Sequence, residues 1–285
     1  MTDFSNSYSG FVPEIWSQRL NSLLATYCPM LQCVNRNWEG EIENAGDKVH
    51  ILAAPTVSVS TLTGDALTYS EIAPTSKTLT VNQRKFFAFK VNDIGKVQAN
   101  TNFVDAYMEN AKKSIEVAQD SYLLGLHTEV PSDNIIGSTD SAVALTTSNI
   151  YSTFVDLAAK LKKSNATSAK QTPWVIINPD LEAILLKTSQ FTGASNLGDE
   201  TLRKGAIGKI AGMDVLVSNN LTATSSKYNV LAGTNDAITF ASKVITLETV
   251  RDTGSFSDIV RGLYAYGACV VNPGALAKLI CSIGS

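Results

Sequence analysis

Most catalytic and metal sites are built from histidine, cysteine and closely spaced acids, and this chain is poor in all three. It has two histidines, His50 and His127, and four cysteines, Cys28, Cys33, Cys269 and Cys281. Histidine is the commonest general base and metal ligand, so its scarcity argues against an enzyme from the outset. Cys28 and Cys33 are spaced C-x4-C, wider than a zinc knuckle, and no histidine lies near them. Reduced, partly buried thiols of a cytosolic protein are the expectation there. The run Gly205-Ala206-Ile207-Gly208-Lys209-Ile210 looks at first like a phosphate loop. Its glycines are too close together, and Ile210 stands where serine or threonine must meet magnesium. Gly205, Gly208 and Gly212 are expected to permit turns and close strand approach instead. Glu41 and Glu43 can share one face of a strand, but paired acids without a pocket are ordinarily solvated. The chain has no G-x-S-x-G elbow, H-E-x-x-H, C-x-x-C or EF-hand loop. No catalytic, cofactor-binding or metal-binding residue is assigned, and no cofactor is expected.

The elements form a mixed α+β pattern without regular βαβ repeats. Residues 1–47 read as an extended or partly helical arm, with Pro13 in the first turn of a short helix and a turn at Ala45-Gly46-Asp47. Lys48–Leu52 starts a strand. Residues 55–92 read as a long two-stranded ribbon: Val57 and Val59 alternate with serines on the way out, and Leu79 and Val81 alternate with polar residues on the return. Phe87, Phe89 and Val91 share a face further on. Gly64, Asp65 and Pro74 mark the polar tip. An isolated ribbon is marginal in water, so it must lie against something. Residues 103–127 predict the strongest helix, with an apolar stripe of Val104, Met108, Ala111, Ile115, Ala118 and Tyr122 and with Asn102 as cap. A second helix is capped by Ser148 and buries Ile150, Phe154, Leu157, Ala158 and Leu161. Trp174–Ile177 reads as a buried strand, and Asn178-Pro179 as the cap and first position of a helix. Gly205–Val217 reads as strand, tight turn and strand, with more strands at 230–231, 245–250 and 262–271.

Composition narrows the class. The chain has 285 residues, is 44% hydrophobic and 17% charged, and carries a net charge of −3, which excludes a disordered chain. No run approaches the ~18 apolar residues needed to span a bilayer, and Met1–Gly10 has neither the basic start nor the apolar core of a secretory signal. Residues 1–47 hold six acids and two bases, and the remainder is nearly neutral. No basic arm of the kind that neutralises phosphates is present, so ordinary nucleic-acid binding is not expected. Abundant serine and threonine on a surface low in charge suit broad polar contacts between subunits.

Several segments, in order, carry a resemblance. These are Phe11-Val12-Pro13-Glu14-Ile15-Trp16-Ser17, Val34-Asn35-Arg36-Asn37-Trp38-Glu39-Gly40-Glu41-Ile42 and the turn Ala45–Val49. Phe87-Ala88-Phe89-Lys90-Val91-Asn92-Asp93 and the long helix follow, then Gly208–Leu221 and Arg261-Gly262-Leu263-Tyr264-Ala265-Tyr266-Gly267. Together they resemble tailed-bacteriophage major capsid proteins with the Hong Kong ninety-seven-like fold, over nearly the whole chain. The resemblance implies an α+β fold with N-terminal arm 1–47, extended β-ribbon loop 48–95, spine helix and peripheral domain 96–172, axial domain 173–250 and a return to the peripheral domain over 251–285. No coiled-coil stretch precedes the arm, so a fused scaffolding segment is not expected.

The implied function is a structural coat protein that self-assembles through pentamers and hexamers into an icosahedral shell around double-stranded DNA. It would enclose that DNA without binding it specifically, in the virion and, during assembly, in the host cytoplasm. Scaffolding, portal and decoration proteins would be separate partners, with no membrane involved. Expected inter-subunit contacts are Leu62, Thr63, Gly64, Asp65, Leu67, Tyr69, Glu71 and Ile72 at the ribbon tip, and Trp16 and Trp38 in the arm. Loops around Gly193–Gly198 and Leu221–Lys227 would approach the five- or sixfold axis. Two other readings stand beside this one. An encapsulin-like nanocompartment would share the architecture and load protein cargo. A cytosolic enzyme working through Asp, Glu or Lys would need a pocket with perturbed ionisable groups.

Overall fold

The computed structural model describes residues 29–41, 48–53, 75–92, 103–164, 172–188, 208–221, 223–224 and 226–284. Strands β1 (Lys48–Ala53), β2 (Thr75–Thr80) and β3 (Gln83–Asn92) come first, and α1 (Phe103–Gly125) follows. After β4 (Ile135–Ile136) and β5 (Val143–Leu145) the chain forms α2 (Ile150–Lys163), β6 (Trp174–Ile177) and α3 (Pro179–Leu186). The rest is strand: β7 (Lys209–Ile210), β8 (Met213–Val217), β9 (Ala223–Thr224), β10 (Lys227–Gly233), β11 (Ile238–Arg251), β12 (Ser257–Val270) and β13 (Leu276–Ile283).

These strands make three sheets. The largest runs β4–β13–β10–β6–β8–β7, with β5 also beside β13 and β9 beside β10. β6 and β8 pair in parallel, and a parallel pair needs a crossover, to which α3 contributes. Asn178 caps α3 as its sequence predicts, accepting from the Leu181 N–H at 3.0 Å. All four side chains of β6 are buried. α2 packs on β13 and buries Ile150, Phe154, Leu157 and Leu161 completely, each contributing roughly 1.5–3 kcal/mol. Its start departs from expectation: Asn149 occupies the cap position, while the Ser148 hydroxyl pairs with that of Thr146 at 2.9 Å. Between β7 and β8 the turn residues Ala211 and Gly212 both have positive φ, 50° and 85°, the left-handed pair that closes a tight hairpin. That geometry accounts for the glycines without any phosphate loop.

The second sheet is β11–β12–β3, and the third is the pair β1–β2. The ribbon is therefore shorter than its alternation suggests. β2 pairs with β1 only as far as Thr80, and after Val81-Asn82 the chain continues as β3 along β12, from Gln83↔Tyr266 to Asn92↔Ser257. The aromatic run from Phe86 to Phe89 finds a strand partner with its own side chains to pack, which a free ribbon lacks. A small cluster of Val49, Ile51, Leu79, Val81, Ala241 and Ala265 holds the base of the ribbon on β11 and β12. Residues 54–74, which include the tip, lie outside the described residues.

Two boundaries read from sequence also shift. β13 pairs with β10, so residues 276–283 belong to the sheet of β6 and β8 instead of the sheet built by β12. Conversely, β11 (Ile238–Arg251) pairs with β12, which takes it out of the 173–250 unit. Hydrophobic pattern marks strands but not their partners.

Residues 29–41 lie on their own chain. Met30, Leu31, Cys33 and Val34 join the main core. Asn35 bridges to β11, donating its N–H to Ile238 O and accepting from Phe240 N–H, each at 2.9 Å. The Glu39 carboxylate accepts from the N–H of Ser242 at 3.0 Å and from its hydroxyl. An arm expected to cross to a neighbour is thus anchored at home through this stretch.

Candidate inter-subunit surface

The register of the three-stranded sheet assigns each side chain to a face, because successive residues alternate. Phe87 stands opposite Gly262, and Leu247 opposite Gly262 on the other side. Phe87, Phe89, Val91, Val260 and Leu247 therefore share the inner face. Phe87 packs on the main core and stacks with Phe89, ring centroids 6.3 Å apart. The residues between them must point outward: Phe86, Ala88 and Lys90 on β3, Leu263, Arg261 and Ile259 on β12, and Thr246, Glu248 and Val250 on β11.

That outer face carries unusual apolar exposure. Phe86 is 78% exposed and Val250 39%. A shallow groove of about 460 Å³ runs between Phe86, Ala88, Thr246, Glu248, Arg261 and Leu263. Its charged groups are paired across strands. Arg261 Nε donates to Glu248 and Lys90 to Asp252, while on the inner face Arg251 donates to Asp258 at 3.1 Å.

At the end of the β11–β12 hairpin, Phe256 is 81% exposed. The turn presenting it is tied together. The Asp252 carboxylate accepts from Gly254 N–H at 3.0 Å and from the Ser255 hydroxyl at 2.7 Å. The Asp252 N–H donates to Ser257 O at 3.0 Å. The Lys90 ammonium beside it, then these donors, hold the Asp252 carboxyl well below the usual carboxylate range.

Of the contacts expected from sequence, Trp38 is described: it is half-buried and packs on the small cluster beneath the ribbon base. Leu62, Thr63, Gly64, Asp65, Leu67, Tyr69, Glu71, Ile72 and Trp16 lie outside the described residues, as do Gly193–Gly198. The sequence reading missed Phe86 and Phe256. Once Phe87 and Phe89 were given one face, strand alternation already placed Phe86 on the other; Phe256, in a Gly-Ser-Phe-Ser turn, had no such signal. Of the cysteines, Cys33 and Cys281 are buried, Cys269 is half-buried, and all three are free thiols. No group of three His, Cys, Asp or Glu residues could hold a metal among the described residues, and no described helix is long and apolar enough to cross a membrane.

Comparison with known proteins agrees on the fold. Residues 96–279 match the profile of the family described as phage capsid protein. Among solved structures, a chain of Mycobacterium phage Che8 is 26% identical, with a TM-score of 0.67 over 86% of this chain and 88% of that one. A chain in the asymmetric unit of the bacteriophage PhiM1 mature capsid is 11% identical, with a TM-score of 0.63 over 84% and 82%. A chain of the SrpI encapsulin complex from Synechococcus elongatus is 11% identical, with a TM-score of 0.51 over 73% and 75%. No curated protein matches the chain in sequence.

Proposed function

Because this chain belongs to the phage capsid protein family, which its residues 96–279 match, we propose that it closes into an icosahedral shell of pentamers and hexamers around double-stranded DNA. Its role is structural. The observation that carries the proposal is the β11–β12–β3 sheet, with Phe86 about four-fifths exposed on its outer face and Phe256 equally exposed on the hydrogen-bonded turn at the end of its β11–β12 hairpin. Buried aromatic anchors supply much of the energy of protein interfaces, and two large aromatics left so exposed fit contacts between copies. The ribbon tip, residues 62–72, is assigned to an adjacent copy in the same capsomer, and Trp16 to another neighbour. The nearly neutral chain outside its arm suits a wall that encloses DNA without pinning it.

Negative-stain microscopy and light scattering of the purified protein test this. Closed shells, or rings of five or six, are expected. Phe86→Ser with Phe256→Ser should leave a folded subunit and raise the concentration needed for assembly at least tenfold. Deleting residues 62–72 should give a folded, assembly-defective subunit. Wild-type shell yield from either variant would refute the assignment of those contacts. The encapsulin likeness rests on fold alone, and contents separate the two readings: shells holding DNA favour the virion, whereas DNA-free shells holding one enzyme favour a compartment.

A further inference from the structure

The helix predicted to bury an apolar stripe buries a partly polar one. On α1, Lys112, Glu116, Gln119 and Asp120 are 5%, 7%, 0% and 1% exposed, while Val117 is 48% exposed. Lys112 and Glu116 lie 3.7 Å apart and offset one another's charge. Asp120 faces outside its own helix. Its carboxylate accepts from the Ser218 hydroxyl and from Asn220 Nδ2 at 2.9 Å, in the turn that follows β8. The same turn is fixed to the large sheet, since Ser218 N–H donates to Ile177 O at 2.9 Å and Asn220 N–H to Ser218 Oγ at 3.2 Å. One buried carboxylate therefore ties the long helix to the end of the central strands β6 and β8. Charge-assisted hydrogen bonds of this kind are short and directional. Two residues further on, Tyr122 packs edge-on against Tyr266 of β12, so the other sheet reads the helix's direction too.

We infer that Asp120 is a positioning residue of the coat subunit: it fixes the direction in which α1 leaves the large sheet, and so the angle between the two sheets. The lever is long. At 1.5 Å per residue, Phe103 lies about 26 Å along the axis from Asp120, and a pivot of about 10° moves it by about 4–5 Å. Loss of the joint leaves no hydrogen bond from Asp120 to the large sheet's turn, only the non-directional apolar packing of Ile115, Leu123 and Leu124 and the Tyr122–Tyr266 contact with the other sheet. A subunit with a variable angle tiles into shells of variable curvature. This last step rests on the shell-forming function proposed above, whereas the joint itself does not.

The test uses the full chain with spin labels attached to non-natural residues replacing Glu109 on α1 and Ala183 on α3, both exposed, which spares the native cysteines. Asp120→Leu removes the acceptor while keeping the bulk. Asn220→Ala removes one donor at a half-buried position and serves if Asp120→Leu fails to fold. Asp120→Asn keeps an oxygen where both donors point. The expected result is a label-to-label distance distribution broadened by about 3 Å in Asp120→Leu or Asn220→Ala and restored in Asp120→Asn. Distributions as narrow as wild type in the folded variants would overturn the inference, whether or not any shell forms. Shell diameters by microscopy are the second reading: mixed sizes from Asn220→Ala with uniform sizes from Asp120→Asn support the link to curvature. Absence of shells from wild type would count against the proposed function and leave the distance result to decide the joint.

Discussion

Gly267 and Gly262 sit five residues apart on β12, and adding one methyl to each should have very different consequences. A Cβ at Gly267 would lie 2.2 Å from the carbonyl oxygen of Thr80 and 2.9 Å from Val81 Cα, both backbone. That backbone cannot retreat cheaply, because Leu79 and Val81 are 0% and 1% exposed in the cluster beneath the ribbon. Lifting both out would forfeit about 3–6 kcal/mol. The chain should instead accept strain at the upper end of the overpacking range, about 3 kcal/mol for Gly267→Ala. At Gly262 the Cβ would meet Phe87 Cε1 and Cζ at 2.5 and 2.6 Å, the far edge of a half-buried ring. That ring can swing outward, so Gly262→Ala should cost about 1 kcal/mol. Urea unfolding of the unassembled subunit measures both, and hydrogen exchange at residues 75–81 should quicken only in Gly267→Ala. An equal or larger loss for Gly262→Ala would refute the reasoning, because it would mean that backbone at the ribbon base yields more easily than a side chain.

Three further predictions follow from the anchoring contacts and the charges. Glu39→Ala leaves the part-buried N–H and hydroxyl of Ser242 without their acceptor and should cost about 1–3 kcal/mol; proteolysis should open first within residues 29–41, and an unchanged cleavage pattern would count against that anchor. His127 Nδ1 accepts from Lys278 Nζ at 3.2 Å, and burial first, then that lysine, lower the histidine pKa from the ordinary 6.5. The unfolded chain thus takes up the proton first on acidification, so stability should fall as pH drops from about 6.5 through the lowered folded value; in His127→Gln that part of the pH profile should flatten. Because the charges of the outer face are paired within the subunit, the concentration needed for assembly should shift by less than about threefold between low and half-molar salt, and a steep salt dependence would contradict the apolar reading.

Local features were legible in the sequence because they follow from nearest neighbours. The buried strand at Trp174–Ile177, the Asn178-Pro179 helix start, the hairpin at Ala211-Gly212 and the extent of the long helix, Phe103–Gly125 against an expected 103–127, all emerge from short-range chemistry. Partnerships were not legible. Leu79-Val81 and Phe87-Phe89-Val91 alternate identically, and nothing local says that the first pair faces β1 and the second set follows β12. The expected stripe of α1 does supply Ile115 to the core, with Met108 and Tyr122 packed against it, but the polar part of the buried face was missed for a related reason. Counting apolar residues favours Met108, Ala111 and Ala118, but Asp120 is drawn inward by Ser218 and Asn220, about a hundred residues away. Long-range polar partners override hydrophobic phase, and a single sequence does not display them.

The outer face shows how a small patch can matter to a large assembly. A fully buried aromatic removes roughly 150–250 Å² from water, so Phe86, opposite Leu263, and Phe256, at the hairpin end, each expose an apolar area that ordinary monomers tolerate. Area alone therefore decides little. What distinguishes these two rings is their surroundings. Arg261 and Lys90 are already engaged with Glu248 and Asp252, so a partner gains little by offering charge and most by covering the rings. The Asp252 turn is ordered by its own hydrogen bonds before any contact is made. Ordering a loop at the moment of association costs about 0.5–1.5 kcal/mol per immobilised side chain, and here much of that ordering belongs to folding. In the proposed shell, weak but pre-ordered apolar contacts of this kind, repeated many times, would let subunits bind, release and correct their positions before a closed array holds them all.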